Sequence, residues 1–165
     1  MKKFSIIVAV CNNYGIGKNG KLPWKNKEDM KYFRDKTVET NNTINENAII
    51  MGRNTFESMD RRFLPNRKSI VITSQNIEGV EICNSLDDAL HKCNKDNIEN
   101  VFVIGGEMLY KHAIEHPNCE SIYLNKIDEN YDCDTYFPNI NMDMYEKVFE
   151  KPLSNIVTNT FYRKI

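Results

Sequence analysis

The 165-residue chain has no apolar run approaching the ~18 residues that a membrane-spanning helix needs. Excess charge of either sign is also missing: 22 basic residues face 23 acidic ones, for a formal net charge of −1. That balance gives no support for a nucleic-acid or polyanion partner. The five cysteines (Cys11, Cys83, Cys93, Cys119, Cys133) are odd in number, scattered and never paired as Cys-x-x-Cys. A disulfide framework is therefore unsupported, and reduced thiols in the cytoplasm fit best. No His-Glu-x-x-His is present, and Pro117 interrupts the one cluster with ligand types, His112, His116 and Cys119; the expectation is exposed histidines and no metal. No serine or cysteine has a base at a recognisable spacing, so covalent catalysis is unsupported. Repeats, low-complexity linkers and coiled-coil heptads are absent as well. One domain over residues 1–165, working as a monomer, is the expectation. Met1–Val10 superficially resembles a signal peptide but lacks a small-residue cleavage site.

What is present alternates between strand and helix. Phe4–Val10 is a β-rich apolar run, expected as a strand buried on both faces. A Gly- and Asn-rich loop, 11–25, leads to a helix over 26–36. Residues 39–47 are polar and read as an exposed loop. Strands follow over 48–51, 69–73, 80–83 and 101–104, with helices opening after Gly52, Ser85 and Gly106. Ser85 to Asp88 has capping-box-like spacing, and the helix after it buries Leu86, Ala89, Leu90 and Cys93. Strands over 121–128, 145–151 and 157–164 complete the chain. The alternation predicts a mostly parallel α/β sheet, and the last two strands, joined without a helix, predict an antiparallel edge.

Asp29 is the most informative residue. At ~100° per residue it shares the apolar stripe of its helix with Met30, Tyr32, Phe33 and Thr37. A carboxylate there must be paired, protonated or kept for a ligand. Leu22-Pro23-Trp24 can wall that face, and a carboxylate in an aromatic pocket suits a flat, amidine-like heterocycle held by two parallel hydrogen bonds. A surface aspartate favoured by the helix dipole is the alternative.

Gly15-Ile16-Gly17-Lys18-Asn19-Gly20 spells the dinucleotide-binding pattern, but that fingerprint needs a helix starting inside it. Pro23 argues against one, and a glycine-hinged lid fits better. Gly52-Arg53-Asn54-Thr55 and Gly105-Gly106 run from strand through glycine into a helix N-terminus, where backbone N–H groups can meet an anion. Thr73-Ser74-Gln75 ends a third strand. Ligands of open α/β sheets sit at such carboxyl ends. Together with Arg53 the three junctions point to a phosphorylated nucleotide cofactor, and Arg53 and Ser74 suit an extra ribose phosphate. Arg67 can clamp a carboxylate, or merely be solvated.

Laid out in order, these segments resemble dihydrofolate reductase from Ser5 to Tyr162. The pieces are Val8-Ala9-Val10, Gly15-Ile16-Gly17, Leu22-Pro23-Trp24 with Asp29 and Phe33, and Ile50 through Ser58. Leu64-Pro65-Asn66-Arg67, Thr73-Ser74-Gln75, Ile104-Gly105-Gly106 with Tyr110, and Asp134 through Pro138 follow. The resemblance implies a central, mostly parallel eight-stranded sheet with an antiparallel C-terminal edge strand and about four helices. It implies NADPH as cofactor, reduction of 7,8-dihydrofolate to tetrahydrofolate, and sensitivity to antifolates. It also assigns roles. Asp29, Trp24 and Tyr110 would carry catalysis. Ile7, Val8, Met30, Phe33, Met59, Leu64, Arg67 and Asn125 would join Asp29 around the substrate. Ala9, Ile16, Gly17, Gly52, Arg53, Asn54, Thr55, Thr73, Ser74, Gln75 and Ile104 would hold the cofactor, with Gly105, Gly106, Glu107, Met108, Leu109 and Tyr110. A cis peptide is expected between Gly105 and Gly106.

Three departures stand out: Asn125 where the family usually has threonine, a longer loop over 39–47, and Asp60-Arg61-Arg62-Phe63 without the usual glycine. Two other readings compete: a related reductase acting on a pyrimidine intermediate of riboflavin synthesis, and a non-catalytic NADP-binding module. The Leu-Pro-Trp and Asp29 constellation argues against both.

Overall fold

A computed structural model of the chain describes residues 1–59 and 64–165. The Asp60–Phe63 departure lies outside the described residues. Phe4–Val10 forms β1, as the apolar run requires, and Gly15–Gly17 forms a short β2. Helix α1 (Lys27–Val38) and strand β3 (Glu46–Gly52) follow, then α2 (Arg53–Ser58), β4 (Arg67–Ile72) and β5 (Glu81–Cys83). Next come α3 (Leu86–Lys92), β6 (Ile98–Val103), α4 (Glu107–Ile114) and β7 (Cys119–Ile127). Strands β8 (Thr135–Tyr136), β9 (Tyr145–Pro152) and β10 (Val157–Lys164) close the chain.

The eight-stranded sheet has the order β5-β4-β3-β6-β1-β7-β10-β9. Six neighbouring strands, β5 through β7, run parallel. β10 pairs antiparallel with both β7 and β9. The expected antiparallel edge is thus a pair of strands, with β9 at the rim and β10 joining it to the parallel region. Burial explains the order. Val157, Asn159 and Thr160 of β10 are buried, whereas β9 is exposed from Glu146 onward and charged, as suits an edge.

Both faces of the parallel region are covered. Phe4, Ile6, Val8 and Val10 point into one layer with Leu86, Ala89 and Leu90 of α3 and Ala113 and Ile114 of α4. Ile7 points the other way, into a layer with Ile49, Met51, Val71 and Phe102, against which Tyr32 and Phe33 of α1 pack. Period-two alternation divides the two layers, as a doubly covered strand requires. Ser85 caps α3 as its spacing predicts, its hydroxyl accepting from Asp88 N at 3.0 Å, while the Asp88 carboxylate reaches back to Asn84 N.

The loop expected over 39–47 is only partly a loop. Residues 41–44 are exposed, but β3 begins at Glu46, and Asn47 is fully buried. Its amide donates to Thr37 O at 3.0 Å and Glu39 O at 2.8 Å, satisfying carbonyls at the end of α1. Its oxygen accepts from Asn100 N at 3.0 Å and Asn100 Nδ2 at 3.1 Å. One side chain therefore ties α1 to β3 and to the strand beside it. Asn47→Ala orphans several buried polar groups at once, and equilibrium urea unfolding should show a loss of about 3 kcal/mol.

Candidate active site

The sheet order places the predicted segments side by side. β4, β3, β6 and β1 are successive neighbours, so Thr73, Gly52, Gly105 and Ala9 line up along one carboxyl edge. The two glycine junctions are joined directly: Gly52 N donates to Gly105 O at 2.9 Å. The Gly105–Gly106 bond is cis. Gly105 has φ of 126°, and a Cβ there would sit 3.4 Å from the Tyr110 ring and 3.3 Å from Thr55 Oγ1. Only glycine holds this backbone while leaving the α4 N-terminus open. Gly106 provides that helix with no side-chain cap. Arg53, Asn54, Ser74 and Gln75 are exposed beside it, and Thr55 is half-buried.

Gly15 and Gly17 belong to β2, which pairs antiparallel with β8. Asn19 (φ 51°) and Gly20 (φ 78°) turn the chain back between Lys18 and Lys21. The segment is a hairpin, and no helix starts within it, so the dinucleotide-like spelling is coincidental. Glu107, expected among cofactor ligands, uses its carboxylate to accept from Tyr136 N at 2.7 Å, anchoring β8 to the α4 N-terminus. Met108 is exposed and Leu109 half-buried.

Asp29 sits in the first turn of α1, whose cap is Asn26: Asn26 Oδ1 accepts from Asp29 N at 2.9 Å. The carboxyl is 8% exposed. Asn125 of β7 donates to Asp29 Oδ1 at 2.9 Å, so the departure from threonine keeps a donor at the carboxylate. Burial pushes the Asp29 pKa above the usual carboxylate value, opposed by Asn125 and by the nearby Trp24 indole. Trp24 Nε1 itself is buried and makes no hydrogen bond of full geometry. Phe33, Met59 and Leu64 pack against the layer containing Ile7 and Ile104. These four apolar substrate candidates, Ile7, Phe33, Met59 and Leu64, therefore share the layer against which α1, the helix of Asp29, packs. Met30 is not on the buried stripe: it is 57% exposed, because one step along the helix turns it past the rim. Val8 points into the opposite layer with α3 and α4, so only its backbone faces this side. Ala9 packs in a third cluster with Trp24, and Ile16 packs at the edge of the α3/α4 layer.

Tyr110 is buried, and its hydroxyl donates to Ile7 O at 2.9 Å. Desolvation raises its pKa far above the ordinary phenol value, and the nearby Asp29 charge adds to the shift. The hydroxyl is thus a fixed donor that orients β1 rather than a proton shuttle. Arg67 lies half-buried. Its Nη1 donates to Thr37 Oγ1 at 3.0 Å and its Nε to Pro65 O at 3.1 Å, leaving Nη2 outside both bonds.

His116 is not exposed as expected: its side chain is 9% accessible, and its Nε2 meets Asp87 Oδ1 at 2.6 Å. Its Nδ1 accepts from Asn118 N, so both ring nitrogens have protein partners. A cavity of about 870 Å³ lies at the opposite, amino ends of β1, β6 and β7. It is polar and remote from Asp29.

The carboxyl-edge glycine junctions and the buried carboxylate define an α/β enzyme built around a nucleotide. A sequence profile of the dihydrofolate reductase family matches residues 3–163. A dihydrofolate reductase from Heliothis virescens is 39% identical over 92% of this chain and 87% of its own length. One from Aedes albopictus is 42% identical over 87% of this chain and 83% of its own. A bifunctional dihydrofolate reductase-thymidylate synthase from Daucus carota is 37% identical over 88% of this chain but only 30% of its own length. The chain belongs to the dihydrofolate reductase family, and is thereby an oxidoreductase that pairs a small-molecule substrate with a nicotinamide cofactor.

The raised Asp29 pKa has a consequence for stability. Between the ordinary carboxylate pKa and the raised one, the folded state binds more protons than the unfolded state. Stability therefore falls as pH rises through that interval and levels off above it. Asp29→Asn, which keeps an acceptor for Asn125, should be more stable than the parent at neutral pH. The gain should disappear on acidification below the ordinary carboxylate range, as read by thermal unfolding across pH.

Proposed function

We propose that the chain reduces 7,8-dihydrofolate to tetrahydrofolate with NADPH. The observation that carries this reading is the Asp29 carboxylate: buried beside Trp24, met by one amide, and carried by the helix that packs on the layer of Ile7, Phe33, Met59 and Leu64. A carboxylate so placed binds the pterin N3 and 2-amino group through two parallel charge-assisted hydrogen bonds. A water ordered near the Trp24 N–H would pass the proton to N5, with Asp29 promoting the transfer. Ile7, Phe33, Met59 and Leu64 exclude solvent from the pterin and aminobenzoyl rings, and exposed Met30 covers the rim. Arg67 offers its Nη2 edge to the substrate's glutamate carboxylate.

NADPH supplies the hydride. The residues fit this cofactor: the α4 N-terminus is open over Gly105-Gly106, and exposed Arg53 and Ser74 stand at adjacent strand ends. Backbone N–H groups from Gly106 to Leu109, with Arg53, Asn54 and Thr55, hold the diphosphate, and Arg53 and Ser74 the 2′-phosphate. Thr73 and Gln75 border the adenosine end, while Ala9, Ile16, Gly17 and Ile104 border the nicotinamide. Tyr110 holds β1 in place through its bond to Ile7 O and would thereby steady the wall that the nicotinamide would meet. All these residues come from one chain, so a monomer suffices. Among the described residues no helix is long and apolar enough to cross a membrane, consistent with a cytoplasmic enzyme.

The deciding assay follows the near-ultraviolet absorbance of reduced nicotinamide when purified protein receives NADPH and dihydrofolate, with and without a diaminopyrimidine antifolate. Oxidation should require dihydrofolate and be blocked by the antifolate. NADPH binding without oxidation would bring forward the pyrimidine-reductase and non-catalytic readings. Asp29→Asn should keep NADPH affinity but lose on the order of a hundredfold in turnover at neutral pH. Activity should partly return in acid, where the substrate protonates unaided; full activity at neutral pH would sink the assignment. Arg67→Leu should raise the dihydrofolate KM by roughly tenfold to a hundredfold, the worth of one charge-assisted pair, with kcat much less affected.

A further inference from the structure

Asn125 does not stand alone behind Asp29. It is 2% exposed on β7, directly across from Asn159 of β10, which is 1% exposed. Asn159 Nδ2 donates to Asn125 Oδ1 at 2.8 Å, and Asn125 Nδ2 donates to Asp29 Oδ1 at 2.9 Å. The direction of this chain is set at its acid end. An ionised carboxylate only accepts, so Asn125 presents its amide nitrogen there and its oxygen to Asn159. If Asn125 turned over alone, its oxygen would face the carboxylate and its nitrogen the Asn159 nitrogen, two like contacts in a buried setting.

We infer that Asn159 is a positioning residue for the active site: through Asn125 it holds a hydrogen-bond donor, and not an acceptor, against Asp29. The inference rests on the reading of Asp29 as the pterin-binding carboxylate, and it assigns a catalytic consequence to a strand that touches no substrate. A threonine hydroxyl can donate or accept by rotating, whereas this amide pair is locked unless both members turn. The relay thus favours the ionised carboxylate that a pterin needs, against the desolvation that disfavours it. Among the described residues no charged side chain acts on the Asp29 titration; Asn125 donates to the carboxylate, the Trp24 indole lies close enough to lower its pKa, and Tyr110 of α4 feels its charge. At the far end, the Tyr32 phenol of α1 lies beside Asn159, its pKa pushed up to about 12, chiefly by burial and against the opposing pull of Asn159, so that it stays neutral throughout the working range.

The test is the Asp29 carboxyl titration, followed by carbon NMR in the full chain, for the parent and for Asn159→Leu. Leucine fills the space but frees Asn125 to turn. The midpoint should move to higher pH, and kcat/KM for dihydrofolate at neutral pH should fall about fivefold, the worth of one neutral hydrogen bond. Both effects should vanish when Asn159→Leu is added to Asn125→Ala, since the relay is already cut. An unmoved midpoint, or an equal effect in the Asn125→Ala background, overturns the proposal. Should Asn159→Leu fail to fold, the parent decides: the Asn159 side-chain amide resonances must follow the Asp29 titration, and their indifference overturns it equally. A relay that responds in a protein without dihydrofolate turnover would uphold the positioning role and sink the proposed reaction. Turnover with an unmoved midpoint would do the reverse.

Discussion

Parallel pairing of β1 with β6 on one side and β7 on the other is the constraint on which the rest depends. Parallel neighbours force every connection to cross back over a face, so helices cover both sides and all strand ends of one polarity fall on one edge. Gly52 and Gly105 meet there because β3 and β6 are adjacent, and Asn125 meets α1 because β7 flanks β1 on the other side. Central position also explains the burial of β1. Ile6 and Val10 are fully enclosed, and the alternation between Ile6 and Ile7 decides which layer each residue serves. A slip of one residue would exchange Ile7 of the α1 layer for a residue of the α3/α4 layer.

Against that rigid frame the site holds one destabilising feature, a carboxyl group taken out of water. The fold limits the cost in two ways. Asp29 lies at the first turn of α1, where the helix dipole favours negative charge, and its own backbone N–H is taken by the Asn26 cap. A buried amide meets one carboxylate oxygen. The arrangement is incomplete by the standards of a core, since a buried aspartate of purely structural use would be expected to have its remaining lone pairs filled by protein. Unfilled acceptor capacity facing an apolar wall is what a heterocycle with adjacent N–H groups requires.

Much of this was legible in the residues. The runs Phe4–Val10 and Val157–Lys164 have the observed strand bounds because buried strands are written as unbroken β-rich segments. The placement of Asp29 on the inner face followed from helical periodicity alone. Other features were hidden for definite reasons. Asn47 looks like loop because asparagine is a turn residue, and only the three-dimensional end of α1 gives its amide carbonyls to satisfy. Met30 and Val8 were misjudged for opposite reasons: a helical wheel draws too wide a stripe, and an apolar strand does not say which layer each residue enters. Asn159 carries no local signal, because its meaning arises from cross-strand pairing with Asn125. The Glu107 carboxylate carries no local signal for its bond to Tyr136, because β8 lies far along the chain.

The distribution of satisfied and spare hydrogen-bonding groups separates scaffold from site more sharply than residue type does. Tyr110 is bonded to Ile7, and His116 to Asp87 and Asn118, so neither has chemistry left to offer. Trp24 Nε1 is buried near Asp29 but makes no hydrogen bond of full geometry, and Arg67 keeps Nη2 outside its two protein bonds. The α4 N-terminus has no side-chain cap. A folded chain tolerates few such unspent groups because each carries a desolvation cost. These three belong to the site proposed above, and one more, the buried Asn159 Oδ1, stands at the far end of the amide pair behind Asp29. Spare capacity of this kind at a cleft is what the proposed binding of a pterin and its cofactor would use, whereas a core built only for packing would have filled it.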